Sequence, residues 1–184
     1  EKSHQELSYK AAKESVVLLK NEKILPLDRH LKIAVIGECA KNNLYFIKEE
    51  KQFKDNFKMP FEEINDYDIN TTGFAYGYLK GQVDDEETVA SAVALAKDAD
   101  YALLYLYAGA KETTLPTEQL QLIEALVKEN VKIIAVVSAD NTLDLSFEKY
   151  CDAVIFTYST SQNTAKAVLD VIVGAECPSG RLSF

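Results

Sequence analysis

Four places in this chain put polar side chains directly after an apolar run, where a loop could present them to a ligand. Lys111 and Glu112 follow the nearly uncharged run Tyr101–Tyr107. A glutamate at such a position, partly withdrawn from water, suits a general acid, and a solvated loop carboxylate would look the same in sequence. Asp140 and Asn141 follow the run from Val131 to Val137, where they can bond a hydroxylated ligand or cap the short helix after them. Ser159 and Gln162 stand after the run Ala153 to Tyr158, offering a hydroxyl and an amide to a sugar in a segment that also suits a helix cap. Glu38 and Cys39 follow Gly37 but bring no further glycines, and no GKS or GKT loop occurs, so no nucleotide cofactor is expected. His4 and His30, the only histidines, read as solvated, and without a Gly-x-Ser-x-Gly elbow a serine triad has no support. Cys39, Cys151 and Cys177 are odd in number and far apart, which suits buried thiols rather than metal or redox sites.

The elements that must position these residues alternate. Residues 5–20 place Leu7, Ala11, Ser15 and Leu18 at helical spacing, so they read as one amphipathic opening helix. An extended clip follows, Ile24-Leu25-Pro26-Leu27, because proline excludes helix there and disfavours it at Leu25. Strands are expected at Leu31–Ile36, Phe74–Leu79, Tyr101–Tyr107, Val131–Val137 and Ala153–Tyr158. Helices are expected after Asp84-Asp85-Glu86-Glu87, from about Thr117, as a short piece over Leu143–Tyr150, and after a Ser161 cap. Residues 40–70 break the rhythm and read as a surface excursion with some helix. Strands apolar on both faces, each followed by a helix, predict an α/β three-layer sandwich: a mainly parallel sheet of five or six strands with helices on both faces.

Composition bounds the partners. The chain has 184 residues, 47% hydrophobic and 27% charged, with seven glycines and four prolines, which predicts one compact domain over 1–184. Its formal charge of −9 disfavours nucleic acid and anionic membrane surfaces, and no apolar run approaches the length of a membrane-spanning helix. The start at Glu1 without methionine, and the stop at Phe184 just after Pro178-Ser179-Gly180, suggest a piece of a longer chain.

Several stretches, in order, resemble the second domain of the family-three glycoside hydrolases, which include β-glucosidases and β-N-acetylhexosaminidases. They are Ala11 to Asn21 with Leu25-Pro26-Leu27, then Lys32 to Gly37, and Ala92 to Asp100. Leu115-Pro116 with Gln119, Leu122 and Ile123 follows, and Val168 to Gly174 with Pro178-Ser179-Gly180-Arg181-Leu182 closes the chain. The resemblance implies a six-stranded α/β sandwich behind a (β/α)8-type barrel that carries the nucleophilic aspartate, with the carbohydrate bound at the junction. The expected domain docks on the barrel through the opening helix and the strand-end loops and shapes the sugar site, and it is inactive alone because no second carboxylate can be placed opposite Glu112; the family implies a parent of periplasmic or secreted bacterial origin. Many β-glucosidase members add a glutamate acid/base in a Glu-Gly-x-Asp-Arg-like loop before the Leu-Pro element. This chain has Ala108-Gly109-Ala110-Lys111-Glu112-Thr113-Thr114 there, which leaves Glu112 as the one candidate acid/base. The glycine-rich turn before the last helix is replaced as well, by Ser159 to Asn163, and loss of both loops resembles the hexosaminidase-like branch. The rival readings are a free-standing flavodoxin-like module binding a small ligand at the sheet's carboxyl edge, and a pure interaction domain.

Overall fold

The computed structural model describes residues 2–42, 58–158 and 163–183. Six strands form one sheet: β1 (Val17–Asn21), β2 (Ile33–Ile36), β3 (Thr71–Ala75), β4 (Tyr101–Ala108), β5 (Ile133–Ala139) and β6 (Ala153–Thr157). Their order across the sheet is β1-β6-β5-β4-β2-β3, parallel throughout except for β1, which runs antiparallel to β6. The helices are α1 (Lys2–Ser15), α2 (Pro60–Glu63), α3 (Glu86–Lys97), α4 (Thr117–Lys128) and α5 (Thr164–Ile172). The expected sandwich is therefore present, with six strands.

Alternation along the strands sorts the helices into two layers. Ile36 faces α3 and α4: a Cβ built on Gly77 would lie 2.8 Å from Ile36, 3.2 Å from Ala92 and 2.7 Å from Leu122. Ala75 pairs with Ile36, so its neighbour Phe74 faces the other way, and there its ring lies 4.9 Å from Phe61 of α2. The helices α1 and α2 pack against α5 in that second layer. Strand β6 is buried along its whole length, and β4 and β5 are buried at all but Tyr107 and Ser138. That is why these strands read as continuous apolar runs, each fully buried Leu, Ile, Val or Phe contributing about 1.5–3 kcal/mol.

Three expectations need correction. The opening helix stops at Ser15, and Val17–Asn21 forms β1. Val16 and Val17 are β-branched, and pairing of Val17 with Phe156 and Leu18 with Ile155 outweighs the helical spacing of Leu7 to Leu18. The strand expected at Phe74–Leu79 lies at Thr71–Ala75, because Gly77 turns the chain at a φ of 72° and Tyr78 leaves the sheet line. Cys39 and Cys151 are buried as expected, but Cys177 is exposed in the segment after α5. The excursion contributes α2 and a 3-10 turn at Ile64–Asp66 among its described residues, and the short helical piece is a 3-10 helix, Ser146–Tyr150. Asp85 caps α3, its side chain accepting from Thr88 N–H at 3.1 Å. Asn163 stands at the N-cap position of α5, while the Ser161 cap falls outside the described residues.

Candidate functional site

An open parallel sheet binds ligands outside its carboxyl edge, at the point where chain connections diverge. Here that point lies between β2 and β4, since the chain leaves β2 for β3 on one side and β4 for β5 and β6 on the other. The protein fills it with its own loop. Tyr78, 1% exposed, has its hydroxyl 3.0 Å from the Tyr105 carbonyl oxygen and 3.2 Å from Cys39 Sγ. The buried carboxylate of Glu38 accepts from Lys80 N–H at 2.7 Å and from Asn42 Nδ2 at 2.9 Å. Buried Glu118 accepts from Gly81 N–H at 2.9 Å, and hydrogen bonds to charged acceptors contribute about 1.5–3 kcal/mol each. Gly37, at φ 127°, lets the end of β2 crowd β4: any Cβ there would stand 2.3 Å from the Tyr105 carbonyl oxygen. Burial pushes the Cys39 thiol up to about 12, so it is no nucleophile at neutral pH. Tyr105 Oη is buried and has no hydrogen-bond partner among the described residues.

With that crevice closed, polar groups gather one strand further along, above β4 and β5. Glu112 closes the turn after β4: its N–H donates to the Gly109 carbonyl at 2.9 Å, and its Oε2 accepts from Gly109 N–H. Lys111 is exposed at the same turn. Asp140 N–H donates to the Ala108 carbonyl at 3.1 Å, and Asp140 Oδ2 accepts from the Tyr107 hydroxyl at 2.5 Å. Exposed Asn141 reaches the Ala110 carbonyl with Nδ2 at 3.3 Å, tying the two loops together. Burial first, and the Asp140 carboxylate next, raise the Tyr107 hydroxyl above its ordinary range, so it remains a donor at neutral pH. In-register Ser138 and Thr157 share a hydroxyl hydrogen bond of 2.8 Å on neighbouring strands. The structure thus brings Lys111, Glu112, Asp140 and Asn141 to one stretch of the edge, while Ser159 and Gln162 lie outside the described residues.

Sequence reasoning missed Tyr107 and Gln119 as parts of this cluster. The Gln119 side chain, 1% exposed, accepts from Tyr107 N–H at 3.1 Å and donates to the Tyr107 carbonyl at 2.8 Å. A half-buried tyrosine needs a partner for its hydroxyl, which was the available signal. His30 is exposed, in keeping with a solvated role.

A second tyrosine–aspartate cluster lies in the α1, α2 and α5 layer. Buried Asp170 of α5 accepts from Tyr9 of α1 and from Tyr67 at 2.7 Å, and Lys166 Nζ stands 3.2 Å from it. Burial alone would raise the Asp170 carboxyl, but the bonds from Tyr9, Tyr67 and Lys166 outweigh it and hold the group below the ordinary carboxylate range. A groove between α3 and α4 is lined by Asp84, Asp85, Glu86, Glu124 and Lys128. Among the described residues no group of three His, Cys, Asp or Glu side chains could hold a metal ion, and no helix is long and apolar enough to cross a membrane.

Comparison with known proteins gives a consistent result. The sequence profile of the glycosyl hydrolase family 3 C-terminal domain matches residues 16–184. A probable exo-1,4-beta-xylosidase of Aspergillus clavatus is 29% identical over 97% of this chain and 24% of its own length. An exo-alpha-(1->6)-L-arabinopyranosidase of Bifidobacterium longum is 29% identical over 98% of this chain and 27% of its own. The crystal structure of a GH3 beta-glucosidase from Bifidobacterium adolescentis superposes with a TM-score of 0.82 at 28% identity, over 95% of this chain and 27% of that one. The chain thus spans about a quarter of the length of the proteins it matches.

Proposed function

This chain belongs to the glycosyl hydrolase family 3 C-terminal domains, and from that premise we propose that it is the accessory α/β domain of a glycoside hydrolase. A preceding catalytic domain supplies the nucleophile, and the carboxyl edge above β4 and β5 helps shape the sugar site. The observation that carries this reading is coverage: nearly the whole chain aligns, yet with only about a quarter of each relative. The names of those relatives favour glycosides of xylose, glucose or arabinopyranose. The hexosaminide expectation rests on the replaced loops alone and finds no support in those names.

Glycoside cleavage takes two carboxylates flanking one bond. Here Glu112 closes its own turn and Asp140 is bound by Tyr107, so the chain supplies no complete pair and is inactive by itself. An acid/base role for Glu112 would require opening the Gly109 contact when the domains meet. Lys111 and Asn141 flank the same edge, and in this reading Lys111 meets sugar hydroxyls while Asn141, bonded to the Ala110 carbonyl and the Thr142 N–H, holds the loop in shape. The rival small-ligand module loses ground because Tyr78 and its loop occupy the crevice such a module would use.

The test compares the 184-residue chain with the full-length protein that carries it. Substrates are 4-nitrophenyl β-xyloside, β-glucoside, α-L-arabinopyranoside and N-acetyl-β-glucosaminide. The full-length protein is expected to turn over at least one of the first three, and the domain none. Turnover by the domain alone overturns the accessory role; an inert full-length protein overturns the glycosidase reading.

A further inference from the structure

Strand β2 accompanies β4 only as far as the pairing of Ile36 with Leu104. Beyond that point β4 continues toward the carboxyl edge with β5 on one side and, among the described residues, no strand on the other, which leaves the outward N–H and C=O of Tyr107 needing partners. One buried side-chain amide satisfies both: Gln119 bonds the N–H at 3.1 Å and the carbonyl at 2.8 Å, in place of the missing strand. Tyr107 is fixed in this way at its backbone, and its half-buried ring carries the hydroxyl to Asp140 Oδ2 at 2.5 Å. Asp140 is also fixed at its own backbone, through Ala108. Its other oxygen, Oδ1, accepts from no protein group among the described residues, and the residue is exposed.

We propose that Asp140 is the sugar-facing carboxylate of this domain and that Tyr107, clamped by Gln119, is the positioning residue that aims it. The inference rests on the glycosidase reading above and adds to it the residues that recognise the substrate. The chemistry favours a neutral polyol. A carboxylate oxygen accepts from pyranose hydroxyls, and the Asp140 and Glu112 carboxylates outweigh the single Lys111 cation of this edge, which disfavours an anionic ligand. The phenol remains protonated across neutral pH because burial and Asp140 both oppose its ionisation. An aspartate held at one oxygen and at its backbone loses little freedom on binding, which is what preorganisation requires.

Steady-state kinetics of the full-length protein on its best 4-nitrophenyl glycoside test this. Asp140→Ala is expected to raise KM roughly tenfold or more, the scale of a lost hydrogen bond to a charged acceptor, with kcat within about threefold. Asp140→Asn should recover part of that loss, because it keeps an acceptor oxygen. Tyr107→Phe should raise KM by roughly three- to tenfold with the thermal midpoint nearly unchanged. An unaltered protein that hydrolyses the glycoside while both Asp140→Ala and Tyr107→Phe keep its KM overturns this inference alone. A fall in thermal midpoint without a change in KM assigns the pair to structure and also overturns it. Failure of the unaltered protein to cleave any glycoside overturns the glycosidase reading and this inference with it.

Discussion

Asp170 and Asp140 each receive a tyrosine hydroxyl, and the two surroundings put the same bond to different uses. At Asp170 the side chain is 8% exposed, Tyr9 and Tyr67 occupy one oxygen each, and Lys166 adds its charge. At Asp140 the residue is exposed, and Tyr107 is its one side-chain partner among the described residues. A carboxylate saturated by two tyrosines from separate parts of the chain and by Lys166 of its own helix fastens α1 and the Tyr67 turn to α5. A carboxylate held by one side chain keeps an oxygen for something else.

The comparison breaks most visibly if Asp170 proves dispensable. Asp170→Asn should cost about 2–3 kcal/mol, since the bonds from Tyr9 and Tyr67 lose their charged acceptor, and calorimetry should show the midpoint falling by roughly 4–12 °C. Asp140→Asn in the same scan should move stability by less than about 0.5 kcal/mol, as exposed pairs do. Equal effects at the two sites would erase the distinction.

Acid titration sharpens it further. The folded-state pKa of Asp170 is depressed, so its stabilisation is complete above the unfolded value of about 4 and is lost as pH falls through the folded one. The groups facing it are Tyr9, Tyr67 and Lys166, with Glu63 and Glu176 acting on those tyrosines. Tyr9 and Tyr67 are raised, chiefly by burial and then by Asp170, so their contribution is present below the unfolded value of about 10 and is lost at higher pH. The stability plateau should therefore fall away on both sides, and Asp170→Asn should flatten the acid limb. An acid limb unchanged by that substitution would show that other carboxylates dominate.

Smaller effects separate the tyrosines. Tyr67→Phe should cost about 1.5 kcal/mol, the lower end for a hydrogen bond to a charged acceptor, against less than about 0.5 kcal/mol for Tyr107→Phe, whose acceptor is exposed. Tyr105→Phe should cost nothing and could add up to about 1 kcal/mol, because it removes a buried hydroxyl without a partner among the described residues. A loss of stability at Tyr105→Phe would mean that the hydroxyl is satisfied in solution.

The layers were legible in sequence because β4, β5 and β6 are apolar on both faces, and the Asp85 cap of α3 followed from local residue types, whereas Asp140 and Asn141 do not cap the short 3-10 helix, whose N-cap position is Leu145. Strand β1 was not legible, since its fate depends on pairing with Phe156 and Ile155, far along the chain. The carboxyl edge could be anticipated as a place, and Glu112, Asp140 and Asn141 do gather there. What bonds them was hidden. The contact of Tyr107 with Asp140 spans 33 positions and depends on strand register, while Gln119 acts only because β2 ends early. Nor could local pattern reveal that Tyr78 and two buried glutamates close the crevice beside β2.

In the proposed full-length protein the edge above β4 and β5, and not the Asp170 layer that includes the opening helix, docks on the preceding domain. Amide hydrogen exchange of the isolated domain against the full-length protein tests it most directly. Greater protection in the full-length protein at residues 109–113 and 140–142, with α5 around Asp170 unchanged, is the predicted result; protection confined to the α3–α4 groove, with the carboxyl edge exchanging equally in both, would contradict it.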